Sequence, residues 1–361
     1  MTDRQDSQSL RQFAVTVLCA CGVPRDHAET TAARLVDADL RGRTGHGLIR
    51  LPSYVRRIAA GGMNAQPSIT VTHETPVSAQ VDGDNGLGQV VMTQATELAI
   101  AKASASGLAW VGTVRSNHAG AAGLYAQMAA DAGLIGLYFA VANANGMPPW
   151  GGTDPLLGTN PLAIAVPTET TPFVLDIAST AASHGTIKVA AREGRQMPEG
   201  WVVDAAGAPI TDAARAHEGF LVPMGGYKGS GLTIAIGLLA GVLNGAAFGA
   251  DVVDHRHDAV TPTNTGQSLL VVRADLFRPR DEVLADFTRQ LAALRNSASS
   301  GGRGVRLPGD VAARTYTENV ALGVPIDDAL AAELSALARD VGVISPFDER
   351  RPGAADHVSS R

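Results

Sequence analysis

In DLRGRTGHGLIRLPSYVRRIAAGG, residues 39–62, a histidine, an arginine and a tyrosine follow one another at intervals of four residues. On a helix such positions drift by only about 40° per step, so His46, Arg50 and Tyr54 would share one face. The three side chains offer an acid/base group, a guanidinium fork for an anion and a phenol hydroxyl. Gly61-Gly62 would stop that helix, and Pro52 predicts a kink within it, because proline removes a backbone hydrogen bond. A solvated polar face has the same spacing, so the chemical reading needs support from the rest of the chain.

Upstream, apolar residues three and four apart predict helices over Ser9–Cys21 and Arg25–Asp39, broken at Gly22 and Pro24. Downstream, strands are expected at 68–73 and 77–82, then a turn at Asp82–Gly86, an Ala-rich helix over 90–106 and a strand at 109–114. Helix 119–132, strands 134–141, 162–166 and 173–176, helix 179–192, a hairpin over 201–210, helix 232–245, strand 268–274 and helix 279–295 continue an α/β alternation. Gly146–Pro161 is a long Gly/Pro-rich loop of the kind that carries function, and Ser297–Arg303 has linker composition. The last strong element is an amphipathic helix at 327–341, after which the tail from Pro346 reads as frayed.

With 361 residues, 45% of them apolar and 18% charged, the chain can bury a large core. A net charge of −6 without any basic run offers nothing to nucleic acid or to an anionic membrane. The polar start MTDRQDSQSLRQ is no signal peptide, and the longest apolar stretch, 232–248, is interrupted by glycine and asparagine, so a cytoplasmic protein is expected. Cys19 and Cys21, two apart on a helix, point away from each other and suit neither a disulfide nor a metal.

The G-x-G-x-x-G fingerprint fails at each candidate: runs from Gly45, Gly86 and Gly229 reach Arg50, Val91 and Ile234 where the last glycine belongs. The phosphate-binding G-x-x-x-x-G-K-[ST], the zinc motif H-E-x-x-H and the hydrolase elbow G-x-S-x-G are also missing, so no metal is expected. His255-Arg256-His257 reads as part of an exposed loop. GGYKGSG (225–231) ahead of an apolar helix places Lys228 and free backbone N–H groups at a helix N-terminus, which is either an anion cradle or a glycine-rich turn with a solvated lysine. His118, in RSNHAG, lies between a strand and a helix, where α/β proteins present ligand-binding groups, and Ser116 or Asn117 would cap the helix. Asp176 ends a strand ahead of Ser179-Thr180, placed to orient a histidine, accept from a ribose hydroxyl or cap the next helix.

Eight collinear stretches resemble the malate/lactate dehydrogenase family of the second type: residues 39–62, DGDNGLGQ (82–89), SNHAGAAGLYA (116–126), GGTDPLLGTNPLAIAVP (151–167), VLDIAST (174–180), GWVVDAAGAPITD (200–212), PMGGYKGSGL (223–232) and RLPGD (306–310). These are NAD(P)H-dependent 2-oxoacid reductases whose fold is unrelated to the Rossmann lactate and malate dehydrogenases. The resemblance runs over nearly the whole chain. It implies an α/β fold with a mixed, largely antiparallel sheet and helical N- and C-terminal parts. The corresponding division is a helical region 1–75 with the catalytic histidine, a dinucleotide-binding core 76–300, and a segment 301–361 returning to the N-terminal region.

The resemblance further implies that His46 gives a proton to the substrate carbonyl oxygen, that Arg50 with Tyr54 holds the substrate carboxylate, and that His118 lines the pocket. Asn160, the run Asp176, Ile177, Ala178, Ser179, Thr180, Ala181, Ala182 and Ser183, and then Lys228, Gly309 and Asp310 are implied to contact NAD or NADP. A homodimer acting on a small 2-oxo or 2-hydroxy acid follows, with malate, lactate, ureidoglycolate, sulfolactate, diketogulonate and cyclic imino acids among the family's substrates. The chemistry agrees, since hydride addition to a ketone leaves charge on oxygen that an imidazolium can quench while a guanidinium fixes the acid group. Two departures bear on the substrate: Ala140–Asn145 stands where the family has a Thr/Ser-Asn-Ser run, and Gly45 replaces the family's serine before the histidine. The alternative is a non-catalytic dinucleotide- or anion-binding protein that keeps the cradle at Lys228. A hydrolase using His46 or His118 lacks a nucleophile.

Overall fold

The first helical layer forms because the apolar stripes of two helices face each other. The computed structural model describes residues 3–302 and 304–348. After β1 (Asp3–Gln5) come α1 (Ser7–Ala20) and α2 (Arg25–Leu40), the first capped by Asp6, whose carboxylate accepts from the Ser9 N–H at 2.7 Å. Leu10, Ala14, Val17 and Leu18 of α1 bury against Ala28, Ala32, Leu35 and Val36 of α2. The next helix, α3 (Leu51–Ala59), closes the same cluster with Leu51, Tyr54 and Val55.

A seven-stranded sheet follows. Its members are β2 (Thr70–Thr75), β3 (Ser78–Asp82), β4 (Leu108–Ser116), β5 (Leu134–Ala140), β6 (Leu162–Val166) and β7 (Phe173–Ile177), completed by a late strand, β10 (Thr265–Arg273). The order is β2-β3-β4-β10-β5-β6-β7, and only the β3–β4 pair is parallel. β5 alternates buried and half-buried residues along its whole length, the period-2 signature of a strand with one face in the core. That face takes α4 (Gly88–Ser106) and α5 (Ala122–Asp131), whose alanines let helix and sheet approach closely. At Gly136 the approach is so tight that a Cβ would stand 2.6 Å from the Ala126 carbonyl.

Between β7 and β10 lie α6 (His184–Arg192), the short pair β8 (Val202–Val203) and β9 (Phe220–Leu221), and α7 (Tyr227–Ala240). After β10 come α8 (Arg280–Arg295), α9 (Asp310–Leu322), β11 (Val324–Ile326) and α10 (Asp328–Asp340). β11 pairs with β1 at the other end of the chain, and Val324, Ile326 and Leu334 complete the N-terminal cluster.

Several sequence expectations are corrected. Residues 39–62 do not form one helix: single turns of 3-10 helix at Thr44–His46 and Leu48–Arg50 precede α3, and Pro52 lies in the first turn of α3, where its missing N–H costs nothing. The helix expected from 179 starts at His184, capped by Ser183, because residues 179–181 are tied as extended chain to Thr159 and Val222. The helix expected from 232 starts at Tyr227. The hairpin over 201–210 does form, its turn held by Asp204 and its arms joined by the Asp204 N–H to Ala208 O and the Ile210 N–H to Val202 O, and β8 takes β9 as a second partner. Pro346 does not begin a frayed end: Phe347 is buried edge-on against Phe13. Residues 349–361 of that tail, like Arg303 of the expected linker, lie outside the described residues.

Candidate active site

The turn that carries His46 and Arg50 is held from beneath by a buried acid. Asp39, in the last turn of α2, accepts from the Leu48 N–H at 2.8 Å and is almost wholly enclosed. Burial pushes its carboxyl up to about 7, against the opposing pull of that N–H. Gly47 makes this possible, since a Cβ there would stand 1.8 Å from the Asp39 Oδ1. Arg50 donates through Nε to the Gly45 carbonyl at 2.6 Å, and its terminal nitrogens make no hydrogen bond among the described residues.

The three expected side chains do converge, though by tertiary packing rather than by helical spacing. The His46 ring stacks on His118 at 5.4 Å between centroids and 12° between planes. Tyr54 Oη lies 2.7 Å from Nδ1 of His118 and accepts from Nε2 of Gln89, also at 2.7 Å. A third imidazole, His255, meets His118 edge-on at 5.6 Å. The sequence expectation of an exposed loop at 255–257 is thus wrong for His255 and right for His257. What seats the loop is Arg57: its buried guanidinium donates to the carbonyls of Gly62, Asp258 and Thr261, pinning residues 258–261 to α3. A basic residue one turn beyond Tyr54 was the sole sequence signal for that contact.

Electrostatics set the protonation states. Burial, then Arg50 and Arg43, push the His46 imidazole down to about 3. His118 is lowered well below its ordinary value by burial and by Arg50, and His255 is pushed down to about 4 by burial and Arg50. The three rings are neutral near pH 7, polar but uncharged around one guanidinium. Burial pushes the Tyr54 phenol up to about 12, so it stays a donor. Among the described residues no cluster of three His, Cys, Asp or Glu side chains has metal-binding geometry.

The residues implied for the dinucleotide divide into two groups. Asp176 and Gly309 line a shallow, open cleft with Arg41, Arg43 and Gly123. Burial raises the Asp176 carboxyl while Arg43, with Nε at 3.8 Å, opposes the rise. Gly309, at φ +95°, lies so close to Val174 that an added Cβ would stand 3.1 Å from the Val174 nitrogen. A carboxylate in such a position can accept from ribose hydroxyls. Ile177 and Ala178 continue from Asp176 half-buried.

The others are committed elsewhere. Asn160 is fully buried, accepting from Ala142 N–H and donating to the Thr233 carbonyl, so its side chain clamps α7 to the end of β5. The Ser179 hydroxyl donates to the Thr159 carbonyl and accepts from Thr233; the Thr180 hydroxyl donates to Ala182 O; Ser183 caps α6. Ala182 is buried in a local apolar cluster and Ala181 is tied by its N–H to Val222. Asp310 pairs with Arg295 at 2.8 Å and accepts from Leu307 N–H. Lys228 is exposed on the first turn of α7 and is not part of the cleft lining.

A family model described as malate/L-lactate dehydrogenase matches residues 6–335. The L-sulfolactate dehydrogenase of Methanocaldococcus jannaschii is 36% identical over 334 residues, spanning 92% of this chain and 96% of that protein. The ureidoglycolate dehydrogenase (NAD(+)) of Escherichia coli O157:H7 is 37% identical over 291 residues, 80% of this chain and 82% of its own. Among solved structures, malate dehydrogenase from Pyrococcus horikoshii OT3 superposes with a TM-score of 0.88 at 32% identity, covering 95% of this chain and 97% of that one. Matching these proteins in sequence and in fold over most of its length, the chain belongs to the malate/L-lactate dehydrogenase family.

Proposed function

We propose that the protein is an NAD(P)H-dependent oxidoreductase that moves a hydride between the nicotinamide and a small 2-oxo or 2-hydroxy acid. The observation that carries this reading is Arg50, with its terminal nitrogens free, beside the stacked His46 and His118. Arg50 holds the substrate carboxylate, and Tyr54 and His118 wall the pocket. His46 exchanges the proton of the substrate oxygen. The reduced nicotinamide supplies the hydride, and the Asp176–Gly309 cleft with Arg43 holds part of the dinucleotide. Incubating the protein with a panel of 2-oxo acids and NADH or NADPH tests the proposal: oxidation of either cofactor is expected with at least one acid, and none across the panel overturns it.

The neutral state of His46 has a kinetic consequence. With its pKa at about 3 in the free enzyme, His46 is already the base that alcohol oxidation requires. Between about pH 5 and 8, kcat/KM for 2-hydroxy acid oxidation should stay flat, whereas that for 2-oxo acid reduction should fall roughly tenfold per pH unit, following the protonated fraction. A reduction profile with a plateau up to pH 6.5 would contradict this state of the free enzyme.

The protein is proposed to act as a homodimer in the cytoplasm. Tyr227, Leu238, Leu239, Val242 and Leu243 put large apolar side chains in solvent along α7 and the turn after it, with Tyr227 and Leu243 each 63% exposed. A stripe of this kind marks an association surface. Sedimentation equilibrium is expected to give twice the chain mass; a monomer at micromolar concentration would sink the dimer. Among the described residues no helix is long and apolar enough to cross a membrane, and cell fractionation tests the cytoplasmic location.

A further inference from the structure

Gln89 is a buried polar residue with an unbalanced account. It lies in the first turn of α4 with no exposed surface, its Nε2 donates to Tyr54 Oη, and its Oε1 is buried without a partner. Leaving a carbonyl oxygen unsatisfied is costly, and an apolar side chain of the same size would avoid the cost, so the amide calls for a reason beyond packing. The surrounding backbone is rigid. The N-terminus of α4 is pressed onto His118, for a Cβ at Gly88 would stand 2.6 Å from the His118 carbonyl, and Asn117 donates to Asn85 and Gly86 on one side while Gln267 donates to its carbonyl on the other.

We propose that Gln89 is a positioning residue that sets the tautomer of His118 through Tyr54. Its N–H occupies the lone-pair side of the phenol oxygen, so the phenol hydrogen is directed to Nδ1 of His118. A neutral imidazole carries one hydrogen; with Nδ1 accepting, it sits on Nε2. His118 therefore presents a hydrogen-bond donor to the pocket, suited to a carbonyl or carboxylate oxygen. The inference rests on the reading of His118 as part of the substrate pocket. It adds the group that decides whether that ring gives or takes a hydrogen bond.

Nitrogen NMR of histidine-labelled enzyme, with His118 assigned by its loss in His118→Asn, reads the tautomer directly. The wild type is expected to show a bare Nδ1 and a protonated Nε2. In Gln89→Leu the phenol is released, the two tautomers mix, and kcat/KM for reduction falls on the order of tenfold with cofactor affinity unchanged. Gln89→Glu supplies a second arm. A neutral carboxyl still donates to the phenol, but an ionised one only accepts, so the Nε2–H tautomer and activity should persist at low pH and be lost together as pH rises through that titration. The other charged or titratable groups on this network are Tyr54 and Arg50 at α3, the stacked His46 and His118, His255 edge-on to His118, and Tyr125 of α5. A His118 tautomer unchanged in both variants at every pH would overturn the proposal, and Gln89→Glu decides the matter if Gln89→Leu does not fold. Because the NMR readout is independent of turnover, a failed substrate panel would overturn the function while leaving the tautomer assignment standing.

Discussion

His46→Ala is expected to lower kcat/KM for 2-oxo acid reduction by about a thousandfold, within the range that a positioned acid/base supplies. The dissociation constant for NADH or NADPH should stay within about twofold. The ring is a good target because its removal orphans nothing: Nδ1 of His46 is buried without a hydrogen-bond partner, and what is lost in the free enzyme is the stack on His118. The fold is therefore expected to survive, and a thermal melt close to that of wild type would confirm that the deficit is chemical. Steady-state kinetics with fluorescence titration of the reduced cofactor makes the measurement. Turnover equal to wild type would remove His46 from the proposed role.

Arg50→Leu is expected to cost at least about a hundredfold in kcat/KM, the scale of losing one partner of an enclosed charge pair. Arg50→Lys separates charge from shape: a lysine keeps the positive charge but has no planar fork, so it should recover only part of the loss. A second readout comes from the neighbours. Burial does most to hold down the imidazoles of His46, His118 and His255 and Arg50 adds to it, so its removal should raise all three in part and move the fall of the reduction rate to higher pH. An Arg50→Leu enzyme with wild-type KM and pH profile would mean that the carboxylate is held elsewhere.

Acid stability follows from the same buried rings, with the sign set by their depressed values. An unfolded chain binds protons to histidine near pH 6.5 while native His46 and His118 do not, so the unfolded state gains protons and stability falls as pH drops below 6.5. Asp39 opposes this. Its raised carboxyl binds a proton in the native state between its ordinary value of 3.8 and about 7, so its contribution is largest at low pH and is lost as pH rises through that window.

Much of the architecture was legible along the chain. Strand and helix periods mark the elements of the sheet and its two alanine-rich helices, since a period of two or 3.6 survives whatever the partners are. The resemblance over eight stretches carried the family and the mixed sheet. Less was legible where partners are distant or local signals are weak. β1 and β11 are three-residue strands that exist only by pairing across the whole chain. α9 begins after Gly309 with no side-chain cap, so Gly309-Asp310 reads as a turn and no more.

Residues 39–62 show the same division. By itself the sequence determined which chemistry was available there, a histidine, an arginine and a tyrosine, because residue types are local facts. The tertiary structure decided how they meet. Two short turns over the buried Asp39 replace the expected helix, His118 arrives from the end of β4, and Arg57 draws in His255 from a distant loop. It also gave Asn160 and Ser179 internal partners, because a polar group shut away from water must be hydrogen-bonded.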